Sequence, residues 1–536
     1  MQFGFVIDNR KCIGCHACTT ACKSEHQVPV GVNRTWVKQV EKGVFPDSRR
    51  LFSVMRCNHC TDAPCVEICP TEALYVRDDG IVDFNNDRCI GCKSCMQACP
   101  YDALYIDPEN HTAAKCNYCA HRVDIGLEPA CVNVCPEEAI ISGDLADPES
   151  NIAKLLSRQQ VKVRKPEKGT SPNLFYIDGD DASLNPTDTE KSDAYFWSSQ
   201  SRGVGHFAKA AEKMAFSNGD ILETLMQQEA KETAKEVKEN GPKKSVEVIM
   251  GKARRTYDAP DKGILWGWEV SAYVWTKAIS AGVILVLLTG VLGSWASWSA
   301  DIQWFGLGTA LVFLTLTGVL LVMDLDRPDR FLYVLLRPHW GSWLVKGGYG
   351  ITVFGGLLSF WGLSLFMGWT SLQNWILIAT GFAAVFVAVY TAFLFAQAKG
   401  RDFWQSPTLA LHMLIHSISA GASVLLIAGL VWDLPEGNST FLKMTLMISI
   451  IANLVVMGAE LYTPHPTTDS KKVVDMITKG QYRTRFWGIV FLLGNLIPLT
   501  FLAAGAPSAV AGLLVLLGIY MTEHIWVEAP QRIPLS

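Results

Sequence analysis

Apolar runs of about 20 residues, long enough to cross ~30 Å of hydrocarbon as a helix, occur only in the second half of the chain. Eight such runs follow Trp266, at about 270–293, 302–323, 347–367, 374–396, 409–432, 441–459, 486–504 and 506–526, the last two parted by a short turn near Gly505. A buried soluble core does not give eight runs of this length in succession, so the pattern predicts eight membrane-spanning helices. Before residue 260 the apolar positions are short and broken by polar ones. The second half is also duplicated: "KAISAGVILVLLTG" from Lys277 matches "HSISAGASVLLIAG" from His416. The expectation is two four-helix bundles, with the Ser-Ala-Gly step allowing close helix packing.

Charge sharpens this picture. Lys252, Arg254, Arg255 and Lys262 precede the first run, and Arg327, Arg330, Arg337 and Lys346 lie between the second and third. Lys399 and Arg401, then Lys471, Lys472, Lys479, Arg483 and Arg485, then Arg532, mark every second loop after that. The intervening loops, such as "SWASWSAD" and "GWTSLQN", carry no Lys or Arg. The positive-inside rule then expects both termini, and all that precedes the first helix, in the cytoplasm. The opening "MQFGFVIDNRKC" has no basic, apolar or twin-arginine leader, and points the same way. A net charge of −4 argues against a nucleic-acid surface.

The polar half holds all sixteen cysteines, between Cys12 and Cys135. They form four groups: Cys12, Cys15, Cys18, Cys22; Cys57, Cys60, Cys65, Cys69; Cys89, Cys92, Cys95, Cys99; and Cys116, Cys119, Cys131, Cys135. Groups one and three have the C-x2-C-x2-C-x3-C spacing of bacterial ferredoxins, and Pro70, Pro100 and Pro136 follow the last cysteine of groups two, three and four. Structural zinc uses paired ligands, and disulfides belong to small secreted chains, so iron–sulfur is the stronger reading. Three thiolates wrap one cubane while the fourth reaches its neighbour. By ferredoxin logic Cys12, Cys15, Cys18 and Cys135 hold one cluster, and Cys22, Cys116, Cys119 and Cys131 a second. Cys57, Cys60, Cys65 and Cys99 hold a third, and Cys69, Cys89, Cys92 and Cys95 a fourth. "CPTEALYV", "CPYDALYI" and "CPEEAIIS" repeat a unit in which the Cys-Pro is expected to begin a short helix, followed by a short strand.

The fold expected is therefore an α+β double ferredoxin-like domain with four [4Fe–4S] clusters over 1–150, then a wrapping tail and linker over 151–262. An all-α transmembrane domain over 263–536 completes it. Within the linker, "QVKVRKPEKGTSPNLFYID" reads as a tail that wraps the ferredoxin domain, and 206–255 as a charged, solvated helix.

The first 185 residues or so resemble the four-cluster subunit of the molybdopterin oxidoreductase family (polysulfide, dimethyl sulfoxide, nitrate and related reductases). The wide group-two spacing and the 11-residue gap between Cys119 and Cys131 carry that resemblance. The second half resembles the NrfD-like membrane subunits of polysulfide reductase, through "DLDRPDRFLYVLLRPHWGSWLVKGGYG" at 324–350 and the aromatic–Tyr–small opening of the first helix. The resemblance implies a quinone, no haem, and a large partner subunit bearing molybdopterin. Many relatives carry glycine where this chain has Lys277, so their quinone contacts do not transfer directly.

Ionisable residues within spans are costly and mark function by default. Glu269, Tyr273 and Lys277 recur every four residues on one face of the first helix, and His412 with His416 does so on the fifth. Asp324 and Glu460 end the second and sixth helices; Tyr349 begins the third; Glu523 and His524 lie near the end of the eighth. Quinone reduction takes two electrons and two protons, so it needs hydrogen-bond partners, titratable groups and a nearby cluster. Tyr273, Lys277, Asp324 and Arg327 of the first repeat, with Glu269 and Tyr349, are the candidates for binding a menaquinone or ubiquinone. His412, His416 and Glu460 are candidates for proton handling. The competing readings are a Lys277–Asp324 salt bridge that only joins helices, a haem on the histidines, and a "DLDRPDR" ion-pair loop that docks the ferredoxin domain. The function expected is the electron-transfer and membrane-anchor subunit of a respiratory oxidoreductase, linking a cytoplasmic catalytic subunit to quinone. Polysulfide, sulfite, formate and arsenic oxyanions are all conceivable terminal substrates. The alternatives are a ferredoxin–quinone oxidoreductase without a molybdenum partner, or a membrane redox scaffold.

Overall fold

The computed structural model describes residues 1–43, 47–189 and 253–536. Its strands in chain order are β1 (Phe3–Asp8), β2 (Thr35–Lys42), β3 (Arg49–Arg56), β4 (Leu74–Val76), β5 (Val82–Phe84), β6 (Leu104–Ile106), β7 (Ala113–Lys115), β8 (Ile140–Asp144), β9 (Val161–Lys162), β10 (Leu174–Ile177) and β11 (Ala253–Tyr257). One sheet runs β8–β1–β10–β9, another β11–β2–β3, and β4–β5 and β6–β7 are two-stranded ribbons. The tail thus adds to the ferredoxin fold, β10 lying parallel to β1 in the register Phe5 with Leu174.

The repeated "CP-x-E/D-A" unit is one backbone turn used three times. Glu72, Asp102 and Glu138 all sit in the left-handed region, at φ 52°, 58° and 48°, and the strands β4, β6 and β8 follow. The expectation of a helix beginning at Cys-Pro is corrected here. The short helices Pro64–Glu67, Ser94–Ala98 and Ala130–Asn133 precede the last cysteine of each group. Proline lacks an N–H and disfavours helical geometry in the residue before it, so Cys99, at φ −75° and ψ 115°, closes its helix.

The expected helix over 206–255 falls outside the described residues except at its end, where Ala253, Arg254 and Arg255 form a strand. β11 pairs antiparallel with β2, opposing Arg255 to Val40. Buried Arg255 donates to Asp258 at 2.9 Å and to the Pro186 carbonyl at 2.7 Å, which a solvated helix could not do.

Among the described residues, eight helices are long and apolar enough to cross a membrane. In order, the first to eighth spans are Trp268–Leu292, Ala300–Met323, Trp343–Met367, Thr370–Gln397, Leu409–Ala428, Glu436–Tyr462, Arg485–Ala503 and Ser508–Gln531. The first and fifth are the most enclosed, while the others expose Phe366, Phe382, Val455 and Leu513 outward, as a lipid-facing surface requires. The duplicated Ser-Ala-Gly steps meet at the centre. A Cβ on Gly282 would strike the Ser417 carbonyl and the Gly421 amide, and one on Gly421 would strike Gly282. The two repeats therefore touch backbone to backbone, and Lys277 and His416 hold matching places in the two copies, each five residues before its glycine.

The seventh span opens as a π-helix over Arg485–Leu496. Its Asn495 side chain donates to the Val490 carbonyl at 2.8 Å and accepts from Asn453 Nδ2 of the sixth span at 3.0 Å, and Pro498, just past the π segment, has no N–H to donate.

The halves share one apolar core, which runs from Cys57, Cys69, Cys89 and Cys99 through Trp266 and Tyr273 to Phe395, Trp404 and Trp526. Arg401, buried, fastens the joint. It donates to Gln97 Oε1 at 2.9 Å and to the carbonyls of Pro530 and Ile533 at 3.1 and 2.7 Å. Gln97 donates to Gln531 at 2.6 Å, and Arg164 holds the Leu535 carbonyl at 2.9 Å.

Candidate functional site

The sixteen cysteines assemble in the four sets the spacing predicts. One cavity is lined by Cys12, Cys15, Cys18 and Cys135, and another by Cys69, Cys89, Cys92 and Cys95. The thiols of Cys22, Cys116, Cys119 and Cys131 act electrostatically on one another, as do those of Cys57, Cys60, Cys65 and Cys99. Burial pushes the Cys18 thiol up to about 11, and those of Cys92 and Cys119 up to about 12. Iron must displace those protons. Gly14 and Gly91, at φ 72° and 70°, turn the two C-I-G-C loops.

The residues fit iron–sulfur clusters in a second respect. Arg56 is fully buried and donates to Cys131 Sγ at 3.1 Å, with its guanidinium 4.5 Å from the Phe5 ring centroid. Its Nε and Nη2 have no partner among the described protein atoms. A buried cation with two free donors beside Cys18, Cys116 and Cys131 suits an anionic cluster and its sulfides.

The set Cys69, Cys89, Cys92 and Cys95 rests on the membrane domain. Asp326 N and Arg327 N donate to the carbonyls of Gly91 and Ile90, each at 3.3 Å, and Arg330 donates to the Cys89 carbonyl at 3.1 Å. Lys93 donates to the Asp324 carbonyl at 2.9 Å and pairs with the carboxylates of Asp326 and Asp324 at 3.4 and 3.7 Å. Trp266 Nε1 donates to the Cys92 carbonyl at 3.1 Å, and His339 approaches the Cys69 carbonyl at 2.8 Å. A Cβ on Gly91 would strike Asp326, so that glycine serves contact as well as turn. The "DLDRPDR" segment is thus a docking turn. Arg327 belongs to it: it binds Asp329 at 3.0 Å and the Asn110 carbonyl at 3.3 Å, outside the spans.

The competing reading, a Lys277–Asp324 bridge, does not hold: Lys93 pairs with Asp324 instead. Burial pushes the Asp324 carboxyl up to about 7, against the pull of Lys93. Lys277 is buried, donates to Thr391 Oγ1 at 2.5 Å and lies 4.6 Å from the Tyr390 ring centroid. Tyr273 is buried one turn nearer the docking turn, also against Thr391. Glu269, at the helix start, faces Asp324. Tyr349 lies apart: its hydroxyl donates to the Leu335 carbonyl at 2.8 Å and its ring packs on Trp340.

Beyond the seam, Glu460 Oε2 lies 2.7 Å from His412 Nδ1, and His412 Nε2 is 3.0 Å from His416 Nε2. His416 Nδ1 is 2.6 Å from Glu523 Oε1. Every nitrogen of these two imidazoles is engaged, which leaves none for a haem iron. His524 turns away, towards Glu528 at 3.0 Å.

Two profiles described as "4Fe-4S dicluster domain" match residues 11–74 and 49–145, and one described as "Polysulphide reductase, NrfD" matches 259–527, half of the chain. The chain belongs to the NrfD family. Ahead of its NrfD domain, the iron–sulfur region is 47% identical over 189 residues to a subunit of the tetrathionate reductase of Salmonella typhimurium, covering 34% of this chain and 76% of the relative. It is 44% identical over 181 residues to a component of the polysulfide reductase of Wolinella succinogenes (33% of this chain, 94% of the relative). Protein NrfC of Escherichia coli is 42% identical over 181 residues, with 33% and 81% covered. The chain is a multi-pass membrane protein and an iron–sulfur electron-transfer subunit of a respiratory reductase complex, with two dicluster units fused to an NrfD anchor. Within the NrfD domain, Thr391, Tyr390 and Thr408 carry contacts that sequence reasoning missed. Neutral residues inside an apolar run give no signal until their partners are known.

Proposed function

We propose that this chain exchanges electrons and protons with a quinone held in the first repeat, beneath the set Cys69, Cys89, Cys92 and Cys95. When bound, the clusters supply one-electron transfer between that set and a catalytic subunit on another chain. The observation that carries the reading is the seating of this cysteine set on the docking turn, in one apolar core with buried Tyr273 and with buried Lys277 one helical turn further along the first span. Stacked Trp266, Phe395 and Trp404, with centroids 4.6–5.7 Å apart, exclude water between the cluster loop and the spans. Tyr273 and Lys277 offer donors to quinone oxygens, and Asp324 a carboxyl that titrates near neutrality.

We read the catalytic partner as a molybdopterin subunit, and the iron–sulfur domain and both termini as cytoplasmic. The Lys- and Arg-bearing loops at 327–346, 399–401 and 471–485 all lie on the ferredoxin side, where Lys472 reaches the Thr187 carbonyl and Lys165 pairs with Asp469. The substrate is then handled on the partner chain.

The test is metal analysis of the complex drawn intact from native membranes. Molybdenum or tungsten rising in step with iron, with a large cofactor-binding chain, is the expected result. Iron alone, with no such chain, would overturn the molybdopterin assignment and favour direct feeding by a soluble electron donor.

A further inference from the structure

The chain of Glu460, His412, His416 and Glu523 is buried, lies within the second repeat, joins its fifth, sixth and eighth spans, and is not needed to hold a quinone. Its proton count is fixed by its geometry. Three hydrogen bonds join four groups, so three protons occupy it. Facing Nε2 atoms can bond only when one bears hydrogen and the other does not. With both rings neutral, one of the two glutamates must be protonated. In one state Glu460 donates to His412, His412 to His416, and His416 to the Glu523 carboxylate. In the other all three bonds point the opposite way, and Glu523 bears the carboxyl proton. A third arrangement has one imidazolium between two carboxylates. All hold three protons and a single net negative charge. Moving each proton across its own bond converts the first state to the second and carries one positive charge from Glu460 to Glu523, leaving both imidazoles neutral and the carboxylate at Glu460, ready to take up the next proton.

Both ends lead somewhere. Glu460 Oε1 accepts from Thr408 at 3.0 Å, and both line a cavity of about 780 Å³ between the ferredoxin-side loops, alongside Lys168, Asp402 and His465. At the other end, Glu523 and buried Lys277 are close enough to interact electrostatically. Glu460 lies two residues from the end of its span and Glu523 eight from the end of its own. At 1.5 Å per residue the chain descends from about 3 Å to about 12 Å below the helix ends, to the depth of Lys277.

We propose that Glu460, His412, His416 and Glu523 form a proton relay between this cavity and the quinone site at Lys277, so that protons reach the first repeat through the second. The inference rests on the quinone reading above. Because the relay begins and ends on the ferredoxin side, it moves protons laterally and not across the membrane.

The test uses the intact, cluster-loaded complex in liposomes of phosphatidylethanolamine and phosphatidylglycerol, with menadiol as the quinol. Cluster bleaching follows electrons, and a pH dye follows protons, in H₂O and D₂O. The wild type should show a solvent isotope effect. Glu460→Gln and Glu523→Gln should each slow electron and proton exchange together, by about a hundredfold, with iron content unchanged. Glu460→Ala should regain activity with added acetate, which reaches His412 through the cavity; a purely structural clamp would not respond to acetate. Wild-type rates in both glutamine variants would overturn the relay alone. A wild-type complex that exchanges no electrons with menadiol would overturn the quinone reading and the relay with it.

Discussion

In the first repeat the end of the second span, 324–330, is closed against the loop that carries Cys89, Cys92 and Cys95. In the second repeat the matching end, 460–469, lines an open cavity and presents the Glu460 carboxylate to His412. The duplicated helices meet at Gly282 and Gly421, so the scaffolds are alike and the ends have diverged. One end is dry and abuts a cluster; the other is polar and leads to a hydrogen-bonded chain. The difference teaches how an internal duplication can separate two flows: on the reading proposed above, electrons enter where the ferredoxin unit seals the surface, and protons where it does not.

The comparison can be broken at its electron side first. Replacing Cys92 by Ser should remove about a quarter of the iron, measurable by iron analysis, and abolish quinol-driven bleaching of the remaining clusters. Intact quinol exchange in that variant would move the electron path elsewhere. Next in size, Lys277→Ala should leave iron content and assembly unchanged and lower quinol exchange by about a hundredfold, read by stopped flow.

The seal itself can be loosened. Arg401→Ala leaves Gln97 Oε1 and the carbonyls of Pro530 and Ile533 without their buried donor. Thermal unfolding should show a loss of about 4 kcal/mol. The smallest effect is expected from Asp324→Asn. Because burial raises the Asp324 carboxyl to about 7 from its usual 3.8, the folded state binds a proton that the unfolded state releases as pH rises from about 4 to 7. Wild-type stability should therefore fall across that window and level off above it. The asparagine variant should lack this slope and gain about 2 kcal/mol at pH 8, roughly half the linkage value, because its attraction to Lys93 is lost.

Much of this was legible in the sequence, and what was hidden has a common cause. The eight spans follow from uninterrupted apolar runs, and the cysteine sets from ligand spacing, both of which are local. The repeat seam was visible because small residues recur in register at Gly282 and Gly421. The misassigned helix at Cys-Pro was a local error, since proline's effect on the preceding residue favours closure there. The rest depended on partners far along the chain. Lys93 takes Asp324 from a distance of 231 residues, which no pattern near Asp324 reveals. Strand β11 is fixed by β2 and by buried Asp258, not by the charges of its own segment. Glu523 was visible as an ionisable residue in a span, but its meeting with His416 required the fold.

The central claim is that quinone binds in the first repeat, beneath the docking turn. A photoreactive azidoquinone, activated in the intact membrane-bound complex and mapped by mass spectrometry, tests it directly. The account predicts labelled peptides from the first and fourth spans around Tyr273, Lys277 and Tyr390, with labelling suppressed by excess quinone. Labelling confined to the second repeat beside Glu460, or to the opposite membrane face around Trp298 and Trp361, would contradict it.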